Sequence, residues 1–207
     1  MDFVEPVQAV IPGAQGRILG VLVETAAELN VRTIARLSGV SLAQASRVLP
    51  KLVELGLVER REAPPSALFR LVAENIAARF VRGLAGARQA VLGELGQMAQ
   101  ELSPTPVSVI VFGSFARGEA DSQSDLDVVV VRPVDVDQDD EPWTTAVERW
   151  RLGARRLTGN AVEVIEVGET EIGRLLRRKA TIWRDVAREG VVAFGSDLTA
   201  LKVRRSA

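Results

Sequence analysis

The sequence predicts a mixed α/β (α+β) chain in two units, and three observations carry that expectation. An N-terminal stretch reads as helices followed by a hairpin, a C-terminal stretch alternates strands with helices, and Ser103-Pro104-Thr105-Pro106 divides them with residues through which no helix continues. The 207 residues suffice for one full domain and a small companion. With 47% hydrophobic and 26% charged residues, neither disorder nor a fibrous repeat fits.

In the first unit Ile18, Leu22 and Val23 begin a helical stripe, and a second helix is predicted over 31–37 before Ser38-Gly39-Val40 breaks it. Ser41 stands where an N-cap belongs. Gln44 follows it by three residues as in a capping box, and the helix they open turns Val48, Leu49, Leu52 and Val53 inward before Gly56 stops it. Short strands over 57–61 and 68–72 flank the turn-rich tip Glu62-Ala63-Pro64-Pro65-Ser66. From Glu74 a single long amphipathic helix is expected, with Phe80, Leu84, Arg88, Val91, Leu95, Met98 and Leu102 near one face, serving as a connector or as the seam of a homodimer. Beyond the proline pair, strands are predicted over 107–112, 126–131, 161–167 and 191–194, with helices around 149–157, 169–179 and 181–189. These form a small mixed sheet flanked by helices. The expected boundaries are 1–75 for the first unit, 76–103 for the connecting helix and 104–207 for the second unit.

Composition removes whole classes of chemistry. The chain has no Cys and no His, so disulfides, thiolate or imidazole metal sites, Cys nucleophiles and His bases are excluded, leaving carboxylates, hydroxyls, Arg and Lys. A net charge of -1 argues against coating nucleic acid with the whole surface, so only a local basic face is suited to DNA. Such a face exists between Val31 and Arg61, where six basic residues meet only Glu54 and Glu59 for a local charge of +4. Ser41, Gln44 and Arg47 are suited to base edges, and Arg60 and Arg61 to phosphates. No apolar run approaches the ~18 residues of a membrane span, and the N-terminus lacks the basic-then-apolar order of a leader, so a cytoplasmic protein is expected.

The chemically informative stretch runs from Val111 to Val128. Gly113 and Ser114 directly follow a predicted strand, where a side-chain-free turn lets backbone and hydroxyl approach a phosphate. Asp125 and Asp127 lie two apart on the next strand and therefore project from one face, as a pair that can hold hard cations such as Mg²⁺. Asp135-Val136-Asp137 repeats the acid spacing without a Gly-Ser before it, and Gly195-Ser196 repeats the turn without acids after it. Arg117 is placed to neutralise a triphosphate or to sit on the surface. The cluster Arg149, Arg151, Arg155 and Arg156 reads as a solvated helix face.

Two resemblances follow from these residues. Helix, helix, Gly turn, helix and hairpin is the order of a winged helix, and Thr33-Ile34-Ala35-Arg36-Leu37-Ser38-Gly39-Val40-Ser41 with Val53-Glu54-Leu55-Gly56-Leu57-Val58 resembles winged-helix transcriptional regulators over roughly residues 14–73. Gly113-Ser114, ten intervening residues and Asp125-Leu126-Asp127 resemble the signature of minimal nucleotidyltransferases in the superfamily of DNA polymerase β, with Arg117-Gly118 and Ser124 matching its usual fillers. A looser likeness extends over 104–195. The resemblance implies transfer of a nucleoside monophosphate from an NTP, ATP foremost, with two Mg²⁺ ions, Ser124 joining Gly113, Ser114 and Arg117 in nucleotide binding. It also implies a third acid on a later strand that helps ligate the catalytic metal and activate the attacking hydroxyl, for which Glu163 is preferred over Glu166, although Glu departs from the more usual Asp. Family acceptors are partner toxins, antibiotics or tRNA ends. The alternative is a transcriptional regulator, of antitoxin type, whose second unit senses nucleotide without turnover.

Overall fold

Local chemistry sets most of the elements. A computed structural model describes residues 1–178 and 181–203, and divides the chain into an N-terminal unit of residues 4–87 and a C-terminal unit from Arg88 onward that also takes in Phe3. The N-terminal unit runs α1 (Pro6–Val10), α2 (Gly13–Val23), β1 (Leu29–Asn30), α3 (Val31–Ser38), α4 (Leu42–Glu54), β2 (Val58–Ala63), β3 (Ser66–Leu71) and α5 (Ile76–Ala85). Asn30 caps α3 by accepting from the Thr33 amide at 2.9 Å. At α4 the Ser41 hydroxyl accepts from the Gln44 amide at 3.1 Å, and the Gln44 side chain accepts from the Ser41 amide at 3.0 Å, completing the expected capping box. The hairpin β2–β3 pairs antiparallel, with the two-residue β1 added on the far side of β3. Ile18, Leu19, Leu22, Ile34, Leu49 and Leu52 form its buried centre.

The single long helix expected from Glu74 is instead two. The chain breaks at Gly86, which caps α5, and resumes as α6 (Ala87–Gln100). Each half buries its own stripe, Ala78 and Val81 in α5, and Val91, Leu92, Leu95, Gly96 and Ala99 in α6. Phe80, expected on the inward face, is 72% exposed.

After α6 the C-terminal unit continues with β4 (Ser108–Phe112), α7 (Gly113–Arg117), β5 (Leu126–Arg132), α8 (Glu141–Thr158), β6 (Val162–Gly168), α9 (Glu169–Leu175), α10 (Thr181–Glu189), β7 (Val191–Gly195) and α11 (Leu198–Val203). Lys179, at the end of the helix expected over 169–179, lies outside the described residues. The sheet order is β6-β5-β4-β7, with β4 antiparallel to both neighbours and β6 parallel to β5. A parallel pair needs a crossover, and α8 supplies it. Alternation along β5 sends Val129 and Val131 into a core with Ile110, Phe112, Val167, Ile172 and Val186. Trp143 and Trp150 of α8 are also buried, Trp150 donating its Nε1–H to the Leu95 carbonyl at 3.2 Å.

Leu49→Ala should cost the N-terminal unit about 2–5 kcal/mol, because the buried side chain leaves a cavity. Phe80→Ala should cost under about 0.5 kcal/mol. Urea unfolding followed by hydrogen exchange within residues 4–87 checks both.

Candidate active site

The last rung of the β4–β5 ladder pairs Phe112 with Asp127, so the chain leaves β4 directly over that carboxylate. Gly113 makes the turn with φ +68°, and a Cβ there would stand 2.3 Å from Asp127 Oδ2. Only glycine satisfies both the left-handed backbone and the close approach. Ser114 follows in the first turn of the short α7, whose end at Gly118 also takes a positive φ. The Arg88 side chain holds that end, its Nε donating to the Phe115 carbonyl at 2.7 Å and its Nη2 to that of Ala116. Phe115 packs edge-on against Phe3 with ring centroids 4.8 Å apart.

The parallel register sets the acids. Asp127 is level with Glu163, so the two side chains leave the same face of neighbouring strands. Asp125 precedes β5 on the parity of Asp127 and is exposed, whereas Asp127 is half-buried. Burial pushes the Asp127 carboxyl above the usual aspartate range, with Asp125 and Glu163 adding repulsion and Arg117 opposing them. Glu166 leaves the opposite face, where the Arg132 Nε donates to it at 2.9 Å. Among the described residues no group of three acids is drawn together tightly enough to cage a metal alone. Two crowded carboxylate oxygens nevertheless fit Mg²⁺, which takes one or two protein carboxylates and completes its shell from phosphates and water.

The remaining predicted residues are more occupied than the sequence suggests. Arg117 donates to Glu119 and to Glu189, each at 2.6 Å, and the hydrogen bond from Arg117, with a second from Arg188, lowers the Glu189 pKa. The Ser124 hydroxyl donates to Asp121 Oδ1 at 2.9 Å and accepts from the Asp121 amide, closing the loop ahead of Asp125. Of the arginine cluster, Arg151 pairs with Glu148 and also feels the Glu163 charge. In the N-terminal unit Ser41 and Gln44 are engaged in the cap, Arg47 lies exposed along α4, Arg60 pairs with Glu62 at 2.7 Å, and Arg61 is held by Glu28. Sequence reasoning missed Glu189 and Arg88 as partners of α7. Arg88 sat in an apolar stripe, and nothing in its spacing points to the carbonyls it meets 27 residues later.

A Gly-Ser turn thus closes onto an Asp-x-Asp strand, with a level acid on the parallel neighbour. Residues 92–182 match the family model described as a nucleotidyltransferase domain, and residues 11–67 match that of the MarR family. The chain therefore joins a MarR-type winged helix to a nucleotidyltransferase domain. No match was found among curated proteins. Solved structures with similarity include a toxin–antitoxin crystal structure with AMP-PNP, at 16% identity and TM-score 0.37, covering 52% of this chain and 77% of that one. A protein assigned as a minimal nucleotidyltransferase shows 28% identity and TM-score 0.32 over 52% of this chain and 90% of its own. TrmBL2, an archaeal chromatin protein described as showing a novel mode of DNA binding, shows 19% identity and TM-score 0.30 over 91% of this chain and 77% of its own.

The raised Asp127 pKa has a stability consequence of definite sign. A carboxyl that binds its proton more tightly when folded stabilises the fold below the ordinary aspartate range, and that contribution is lost as pH rises through the raised value. At pH 7 without divalent metal, Asp127→Asn should therefore melt higher than the wild type, and the gap should close as pH falls below the ordinary aspartate range. Thermal melts across pH in a chelating buffer check this.

Proposed function

We propose that the C-terminal unit transfers a nucleoside monophosphate from an NTP to a hydroxyl acceptor, releasing pyrophosphate. The observation that carries this reading is the corner where Gly113 closes on Asp127 while Glu163 stands level with it on β6. Asp125 and Asp127 would hold Mg²⁺ beneath the triphosphate, with Glu163 beside them. When bound, two such ions supply charge neutralisation and activation of the attacking hydroxyl. The Ser114 hydroxyl and the backbone of the Gly113 turn bind phosphate oxygens, and Arg117 adds positive potential toward Asp127 from within its ion pairs. Glu163 accepts the proton of the attacking hydroxyl at its carboxylate. ATP is the first donor to test, and acceptor hydroxyls occur on a partner toxin, an RNA end or a small molecule.

ATP should raise the melting temperature only with Mg²⁺ present, through binding linkage, and Asp127→Asn should remove that requirement or the binding itself. Glu163→Gln should leave ATP binding within a few fold while cutting label transfer by about 10² or more. Glu166→Gln should do neither, since its partner is Arg132 on the other face. Labelled NTPs incubated with Mg²⁺ and lysate identify the acceptor. Binding without transfer to any acceptor would leave the unit a nucleotide sensor.

We infer that the winged helix binds DNA, supported by the basic stretch from Val31 to Arg61 and by the exposure of Arg47 midway along α4. Affinity should fall steeply with salt, and Arg60→Ala with Arg61→Ala should lower the log–log slope by about one per lost phosphate contact. Arg47→Ala should relax sequence preference at about 1–3 kcal/mol. Salt-insensitive or absent binding to a genomic DNA pool would make this unit a protein-contact module.

A further inference from the structure

We propose that Asn160 is a positioning residue that sets the Asp125–Asp127 segment against the strand carrying Glu163. The inference rests on the reading of those acids as the metal-holding group. Asn160 follows Gly159, the left-handed cap of α8, and its side chain is turned into the unit with the residue only 4% exposed. Its Nδ2 donates to the Asp121 carbonyl at 2.9 Å and to the Ser124 carbonyl at 2.8 Å, while its Oδ1 accepts from the Met1 nitrogen at 2.6 Å. Both amide protons are thus committed to one loop.

That loop is already a closed turn. Asp121 Oδ1 accepts from the Gln123 amide and the Ser124 hydroxyl, each at 2.9 Å, and these bonds lower the Asp121 pKa. Its attachment to the sheet runs through the carbonyls that meet Asn160 and through the next bond, from the Leu126 amide to the Ala161 carbonyl at 2.8 Å. Immediately beyond lie Asp127 and Glu163 at one level. One planar amide therefore stands three residues before Glu163 and one bond from the residue preceding Asp125. Placing two adjacent carbonyls requires two donors on a short rigid group. An Asp carboxylate offers none and a Ser hydroxyl offers one.

The test is Mn²⁺ binding to the full chain, read by electron paramagnetic resonance, with a chelator melt to confirm cooperative folding. Asn160→Asp keeps the shape and sets a carboxylate against two carbonyls, whereas Asn160→Ser keeps one donor. Changes behind metal ligands typically cost ~10–100-fold in affinity, so Asn160→Asp should weaken Mn²⁺ by about tenfold or more and Asn160→Ser by less. A merely structural role would not produce one further result. Raising Mg²⁺ should restore nucleotide transfer to Asn160→Ser but not to Glu163→Gln, because the first loses affinity and the second loses chemistry. If Asn160→Asp does not melt cooperatively, Asn160→Ser decides alone. A folded variant that binds Mn²⁺ within twofold of wild type overturns the role of Asn160 and leaves the transfer reading standing. Failure of the wild type to bind Mn²⁺, with Asp127→Asn indistinguishable from it, overturns both.

Discussion

A Cβ at position 113 would meet the Asp127 carboxylate at 2.3 Å, so the end of β4 and the beginning of β5 can share one corner only where the chain lacks a side chain. The arrangement around it depends on that closeness. The ladder that pairs Phe112 with Asp127 brings the turn over the acid, and the parallel register between β5 and β6 then brings Glu163 level with it. Burial and like charge together push the Asp127 carboxyl up, which makes the corner costly without a cation and receptive to one. Steric closeness and crowded negative charge thus meet at the same corner.

Local patterns were legible in the sequence wherever the governing interaction spans a few residues. Ser41 and Gln44 cap each other within one turn, and their capping box is visible from spacing alone. The choice of Glu163 over Glu166 rested on likeness, while period two shows only that they face opposite ways. The ladder between β5 and β6 puts Glu163 level with Asp127 and Glu166 against Arg132. The break at Gly86 was hidden because apolar residues continue at helical spacing across it, although the halves bury their stripes in different units. Asn160 gave no signal at all. Its partners lie 39 and 36 residues earlier, and a lone Asn after a Gly reads as a helix end.

Charged residues in the N-terminal unit show the same limit. Counting gives a basic stretch, but Arg61 is held by Glu28, which lies outside that stretch. The pair lowers the Glu28 pKa, chiefly through the hydrogen bond with Arg61. Because exposed pairs are worth little, a phosphate can compete for such an arginine. Net charge over a segment therefore overstates the positive face offered to a polyanion, while the exposure of a residue such as Arg47, whose Nε meets only the Ala43 carbonyl of its own helix, matters more.

Among the described residues β6 is an outer strand of its sheet, with β5 on one side only. An outer strand presents unpaired backbone amides and carbonyls to any extended segment that drifts past, and proteins blunt such strands with charge. Here Glu163 and Glu166 put carboxylates on opposite faces of that strand, so a strand pairing along its edge would set side chains beside both. The acid level with Asp127 thereby also helps keep the sheet from growing.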